Sequence, residues 1–148
     1  MKLAQCSIAL LLVLPAVAIA KVVVREEPLT WEQSARLPGD QLYRNLCAAC
    51  HDADGSGNGI ASEALGAGAP DLTHIAARNG GVFPHKKVER LIGNQAHYSG
   101  YGETVMPEWE QQFMYVRTGL SAFQREAHAR NRIHELTEFV ETLQAPVD

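Results

Sequence analysis

Cys47-Ala48-Ala49-Cys50-His51 is the stretch that decides how this chain is read. Two cysteines separated by two residues, with histidine directly after, form the C-x-x-C-H pattern of covalent c-type haem attachment. The two thiols add to the two vinyl groups of the porphyrin, so their separation has to match one edge of the ring. A helical turn then carries the histidine beneath the ring, where a neutral imidazole binds iron. C-x-x-C also occurs in redox and zinc sites. The haem reading therefore requires three things from the rest of the chain: a second axial ligand, an export signal and a small helical wrapping. The chain has a candidate for each.

Residues 1–20 read as a cleaved signal peptide. Lys2 is the positive end, Ile8 to Val17 the apolar run, and Ala18-Ile19-Ala20 an A-x-A cleavage site. The rival is an uncleaved anchor. The charge-free stretch from Ile8 to Ala20 is too short to cross a bilayer, and Lys21 interrupts its extension into Val22–Val24. Export to the periplasm is expected, with no membrane span in the mature form. Cys6 precedes the apolar run instead of ending it, so it leaves with the signal and is not a lipidation site.

Lys21 to Asp148 is enough chain for one domain. Its only cysteines are Cys47 and Cys50, so no disulfide framework is available. A chain this short builds a modest core unaided, and a buried porphyrin would enlarge it. The formal charge of −4 becomes one unit more negative once Lys2 is removed. That balance excludes nucleic acid as a partner, because phosphate binding needs clustered Lys and Arg.

Residues 21–37 form an N-terminal extension broken by Pro28, with a helical turn at Trp31–Arg36 capped by Thr30 and Gln33. From 38 to 148 the pattern is helical. Pro38-Gly39-Asp40 opens a helix through Cys50, with Leu42, Leu46 and Ala49 on one face. Asp71 to Arg78 forms a short helix stopped by Asn79-Gly80, and Pro84 opens another through Ile92. Ser121 to Gln144 is the longest, with Phe123, Ala127, Ile133, Leu136, Val140 and Leu143 marking its apolar side. Lys86-Lys87 reads as a solvated pair, and His74, His85, His128 and His134 read as surface residues.

The loop after the motif, Asp52-Ala53-Asp54-Gly55-Ser56-Gly57-Asn58-Gly59, carries a second pattern. Asp52, Asp54, Ser56, Gly57 and Glu63 imitate an EF-hand calcium loop. Such a loop needs a helix after it, and two glycines and a proline between Ala64 and Pro70 oppose one. The simpler reading is a glycine-rich loop that lets backbone pass close to the haem edge.

Six-coordinate iron needs a ligand opposite His51, and thioether sulfur favours the ferrous state. The mature chain offers Met106 and Met114, with His97 as a third candidate. Met106 ends an aperiodic loop just before Pro107, where the backbone is extended and the side chain can reach inward. Met114 lies in Phe113-Met114-Tyr115-Val116, a run that reads as core packing. Placement favours Met106.

The attachment motif, the glycine-rich loop, Ala69-Pro70-Asp71-Leu72 and Met106-Pro107 together resemble a class I cytochrome c, over about Gly39 to Gln144. Val82-Phe83-Pro84 and Met106-Pro107-Glu108-Trp109 are similar to small bacterial exported members. The resemblance implies an all-α fold of about four to five helices wrapped around one covalent haem c. It implies Cys47 and Cys50 as attachment sites, His51 and Met106 as axial ligands, and Pro70 as the carbonyl that meets the axial histidine. It also implies a crosswise contact of first and last helices, with Gly39 and Tyr43 on one side and Leu136 and Phe139 on the other. The function it implies is carriage of one electron by a monomer, which meets a redox donor and acceptor in transient encounters. Two rivals stand beside that: a haem enzyme or gas sensor with an open or histidine-ligated sixth position, and a dedicated subunit of a dehydrogenase or oxidase complex. Asp52 departs from the family, where glycine often follows the histidine.

Cleavage after Ala20 has a direct check. N-terminal sequencing of the exported protein should begin at Lys21, and protein beginning at Met1 and retained on membranes would favour the anchor.

Overall fold

In the computed structural model, residues 30–34, 36–66, 68–93, 106–115 and 119–146 are described. The signal segment 1–20, residues 21–29 of the extension, and His97, Tyr98 and Tyr101 lie outside the described residues. In chain order the helices are α1 (Trp31–Ser34), α2 (Gly39–Leu46), α3 (Ala48–His51), α4 (His85–Gly93), α5 (Trp109–Tyr115) and α6 (Ala122–Thr142). Two short 3-10 turns, Glu63–Leu65 and Ala77–Asn79, complete the set, and no strand occurs among the described residues. The fold is all-α, as expected. Two of the six helices, α1 and α3, are single turns.

α6 is the element on which α2, α4 and α5 pack. A reciprocal cap starts it: Ser121 Oγ accepts from the Gln124 N–H at 3.3 Å, and Gln124 Oε1 accepts from the Ser121 N–H at 2.9 Å. Two orphan amides of the first turn are thereby satisfied. Ala129, Ile133, Leu136, Thr137 and Val140 form its buried stripe. Thr137 is tolerated there because its hydroxyl donates to the Ile133 carbonyl at 2.9 Å. Phe123, expected on the apolar side, is exposed, because the helix extends one turn past the elements that cover it.

α2 crosses α6 at a point where nothing larger than glycine fits. A methyl group on Gly39 would sit 2.5 Å from the Glu135 carbonyl oxygen. One turn on, Tyr43 is fully buried with its ring 5.0 Å from that of Phe139. Leu42 on α2 is likewise sealed from solvent, and Leu136 on α6 nearly so. α4 lies along α6 through Val88 and Ile92, tied at its rim by His85 Nε2, 2.9 Å from Glu141, and by His134 Nδ1, 3.1 Å from Glu89. Rim pairs of this kind contribute about 0–1 kcal/mol each, so burial holds the packing.

Two further sequence expectations change in the structure, and one helix is new. The helix expected through Cys50 breaks at Cys47, whose backbone (φ −110) leaves the regular helix before α3 resumes the turn. Asp71 to Arg78 is no continuous helix: Asp71 Oδ1 captures the Thr73 N–H at 2.7 Å, and only the Ala77–Asn79 turn forms. Local capture of an amide by a short carboxylate is the standard competitor of helix initiation. α5 is absent from the periodicity reading, because only Trp109 and Phe113, four residues apart, are buried in it. Two anchors are too few to set a pattern in sequence.

The crossing makes a sharp prediction. Gly39→Ala forces the α2 and α6 backbones apart and should cost about 1–3 kcal/mol, the usual penalty of overpacking. The denaturant midpoint of the haem-loaded protein measures it.

Candidate functional site

α3 is one turn long, and its shortness is what shapes the site. Cys47 stands just ahead of it, with its carbonyl accepting the N–H groups of Cys50 at 3.1 Å and His51 at 2.9 Å. The two thiols, three residues apart, share one side of that turn. Both are half-buried and unbridged. Burial pushes the Cys47 thiol from 9.0 up to about 12, with Cys50 adding a smaller push in the same direction.

His51 closes the turn and is 8% exposed. Its Nδ1 lies 3.0 Å from the carbonyl oxygen of Pro70. A carbonyl can only accept, so Nδ1 carries the proton and Nε2 is left as the lone-pair nitrogen. Burial holds His51 below its ordinary 6.5, against a smaller upward pull from the Pro70 carbonyl. The ring is therefore neutral near pH 7, the form in which imidazole binds a metal.

The glycine-rich loop supplies what a one-turn helix lacks. The last carbonyls of such a helix have no partners within it. Here they accept from the returning chain: Ala49 from Ala61 N–H at 2.7 Å, Cys50 from Gly59 at 3.1 Å and His51 from Gly57 at 2.8 Å. The approach is so close that a methyl group on Gly59 would collide with the Ala49 carbonyl, and one on Gly57 with that of Ala69. The loop thus needs its glycines for backbone packed on backbone. Its acidic residues serve the loop as well, since Asp54 Oδ1 accepts the Ser56 N–H at 2.9 Å and Asp52 Oδ1 that of Ala53 at 2.6 Å. No helix follows; Glu63 begins a 3-10 turn. The EF-hand pattern therefore lacks its second helix.

Two polar residues that sequence reading did not single out for their hydrogen bonds hold this arrangement. Ser62 Oγ donates to the Gly57 carbonyl at 2.7 Å and accepts the Ala69 N–H at 2.8 Å, bridging the loop to the segment ahead of Pro70. The Tyr43 hydroxyl donates to the Asp52 carbonyl at 2.9 Å. Asp52 has φ 64 and ψ 164, a conformation nearly restricted to glycine. The bond from Tyr43 thus meets the chain at its most strained point, one residue past His51.

The surroundings suit a large apolar cofactor. A cavity of about 340 Å³ is lined by Pro70, Leu72, Ile75, Arg78, Val88 and Leu91 among others. Leu46, Cys47, Ala48, Leu72, Ile75 and Met106 pack on the buried cluster yet remain only partly covered. Two thiols and an oriented imidazole are the donor set that a covalently attached haem requires, and the cavity beside Pro70 offers apolar lining. Cys47, Cys50, His51 and Pro70 are brought together. Met106 and Met114 both pack on the core, Met106 ahead of α5 and Met114 within it.

A family model described as Cytochrome c matches residues 37–132. No curated protein and no solved structure matches the chain.

The Tyr43 bond predicts a pH dependence. Burial raises the Tyr43 phenol above its ordinary 10.0. The unfolded chain then loses the proton first, so stability is full below pH 10 and falls as pH rises beyond it. Tyr43→Phe should cost about 1 kcal/mol at pH 7 and should flatten the alkaline fall. Denaturant midpoints at pH 7 and pH 11 measure both.

Proposed function

The chain belongs to the cytochrome c family and so carries a covalent haem c in an electron-transfer role; on that premise we propose that it is a one-electron carrier with His51 and Met106 as axial ligands. The observation that carries this reading is the oriented, buried His51 beside two half-buried thiols. Cys47 and Cys50 would hold the haem covalently, and its iron supplies a centre that takes up and releases one electron. The residues of the chain keep that centre still. Pro70 fixes the imidazole plane through Nδ1, and the Gly57 to Ala61 backbone fixes the turn that carries it. A ligand set that does not move between oxidation states keeps reorganisation small.

Met106 is favoured as the sixth ligand over Met114 by position. It precedes Pro107, outside any helix, and is half-buried against the core. Met114 lies within α5, one residue past the fully buried Phe113. A neutral thioether favours ferrous iron, which suits a carrier of moderately high potential. We further propose that the protein works in the periplasm after loss of its signal segment. No helix among the described residues is long and apolar enough to cross a membrane. Its donor and acceptor are redox proteins met in brief encounters.

The spectrum of the ferric protein tests the ligand. A weak sulfur-to-iron band near the red end should vanish in Met106→Ala and persist in Met114→Ala. Met106→Ala should also lower the potential and open the site to carbon monoxide. Native protein that binds carbon monoxide quickly and shows no sulfur band would overturn the carrier reading.

A further inference from the structure

Pro70 can orient His51 only if Pro70 itself is held, and the holding comes from the far end of the chain. Gln144 lies two residues past the end of α6, in a terminal turn closed by its N–H to the Glu141 carbonyl at 3.1 Å. One bond of its side chain serves its own helix: Nε2 donates to the Val140 carbonyl at 2.9 Å. The other two cross to the segment that follows Pro70. Nε2 donates to the Leu72 carbonyl at 2.8 Å, and Oε1 accepts the Ala76 N–H at 2.9 Å. The next residue adds a backbone bond, Ala145 N–H to the Thr73 carbonyl at 2.8 Å. The same segment is also held by Leu72 N–H to the Gly55 carbonyl at 2.8 Å. Residues 72–76 are thus gripped between the loop after His51 and the end of the last helix.

We infer that Gln144 is a positioning residue for the axial histidine, acting through Leu72 and Ala76 on the Pro70 carbonyl. This rests on the reading of His51 as an iron ligand. A helix cap alone would need only the Val140 bond. The amide instead uses a donor and an acceptor on two backbone groups four residues apart, which fixes both the position and the tilt of the segment. The two bonds span 72 and 68 residues of sequence. Gln144 also lies beyond the 37–132 stretch matched by the family model.

With the grip removed, the Pro70 carbonyl is less well held and the Nδ1 bond loosens. A looser bond makes imidazole a poorer donor, which disfavours ferric iron, so the potential rises.

The test uses the haem-loaded protein and its Gln144→Met variant, which keeps the length but neither polar bond. Two quantities are read: solvent exchange of the His51 Nδ1 proton by NMR, and the midpoint potential. Exchange should quicken at least tenfold and the potential should rise. Gln144→Asn keeps an amide but falls one carbon short, and should move both in the same direction by less. Ala129→Gly, buried on α6 and far along the helix from Gln144, lowers stability without touching residues 72–76 and should move neither. Gln144→Met that lowers the melting temperature while leaving exchange and potential unchanged would overturn the inference, as would Ala129→Gly shifting both. If the His51 proton in native protein shows no difference between ferric and ferrous states, His51 is no ligand, and the carrier reading falls first.

Discussion

Everything in this protein that touches the attachment site depends on one hydrogen bond, from His51 Nδ1 to the Pro70 carbonyl. It selects the tautomer, aims Nε2 and sets the plane of the ring. A single bond of this kind contributes about 0.5–1.5 kcal/mol, too little to hold a ring against thermal motion by itself. Its precision comes from how firmly its two ends are anchored. His51 is anchored by the one-turn helix and the loop that caps it. Pro70 is anchored through Ser62 on one side and through residues 72–76 on the other.

The larger architecture serves those anchors. α6 is the longest helix, and α2, α4 and α5 bury their apolar faces against it. α2 reaches α6 at Gly39 and delivers the attachment motif one turn beyond Tyr43. The end of α6 reaches back under the Pro70 segment. The same helix therefore places both partners of the central bond, one through its middle and one through its terminus. Destabilising it anywhere loosens the fold, but it is the chain just past its end, Gln144 and Ala145, that bonds to the segment after Pro70.

Backbone rather than side chain closes most of the site. Carbonyls of α3 accept from amides of the loop, the loop's Ala53 and Ser56 amides donate to Asp52 and Asp54, and its Gly57 carbonyl accepts from the Ser62 hydroxyl. Buried polar groups without partners are costly, so a short helix beside a cofactor cavity needs such a loop. The glycines are the condition for that contact. The carboxylates that imitate calcium ligands are explained by the same need, as turn-making acceptors.

The C-x-x-C-H run and the helical periodicity of α2, α4 and α6 were legible in sequence, because each is a local property. Spacing sets which residues share a turn, and capping and apolar repeats set where long helices lie. The candidate attachment motif and the all-α class follow from that alone. The rest was decided by tertiary structure. α5 has two inward residues and becomes a helix because α6 is there to receive Trp109 and Phe113. Asp71–Arg78 has the composition of a helix but spends the Thr73 amide on Asp71 and the Leu72 amide on Gly55. Gln144, a lone polar residue past the end of a helix, carries no signal at all. Its role exists only because residues 68 and 72 positions away come within hydrogen-bonding distance, and no local pattern encodes that meeting.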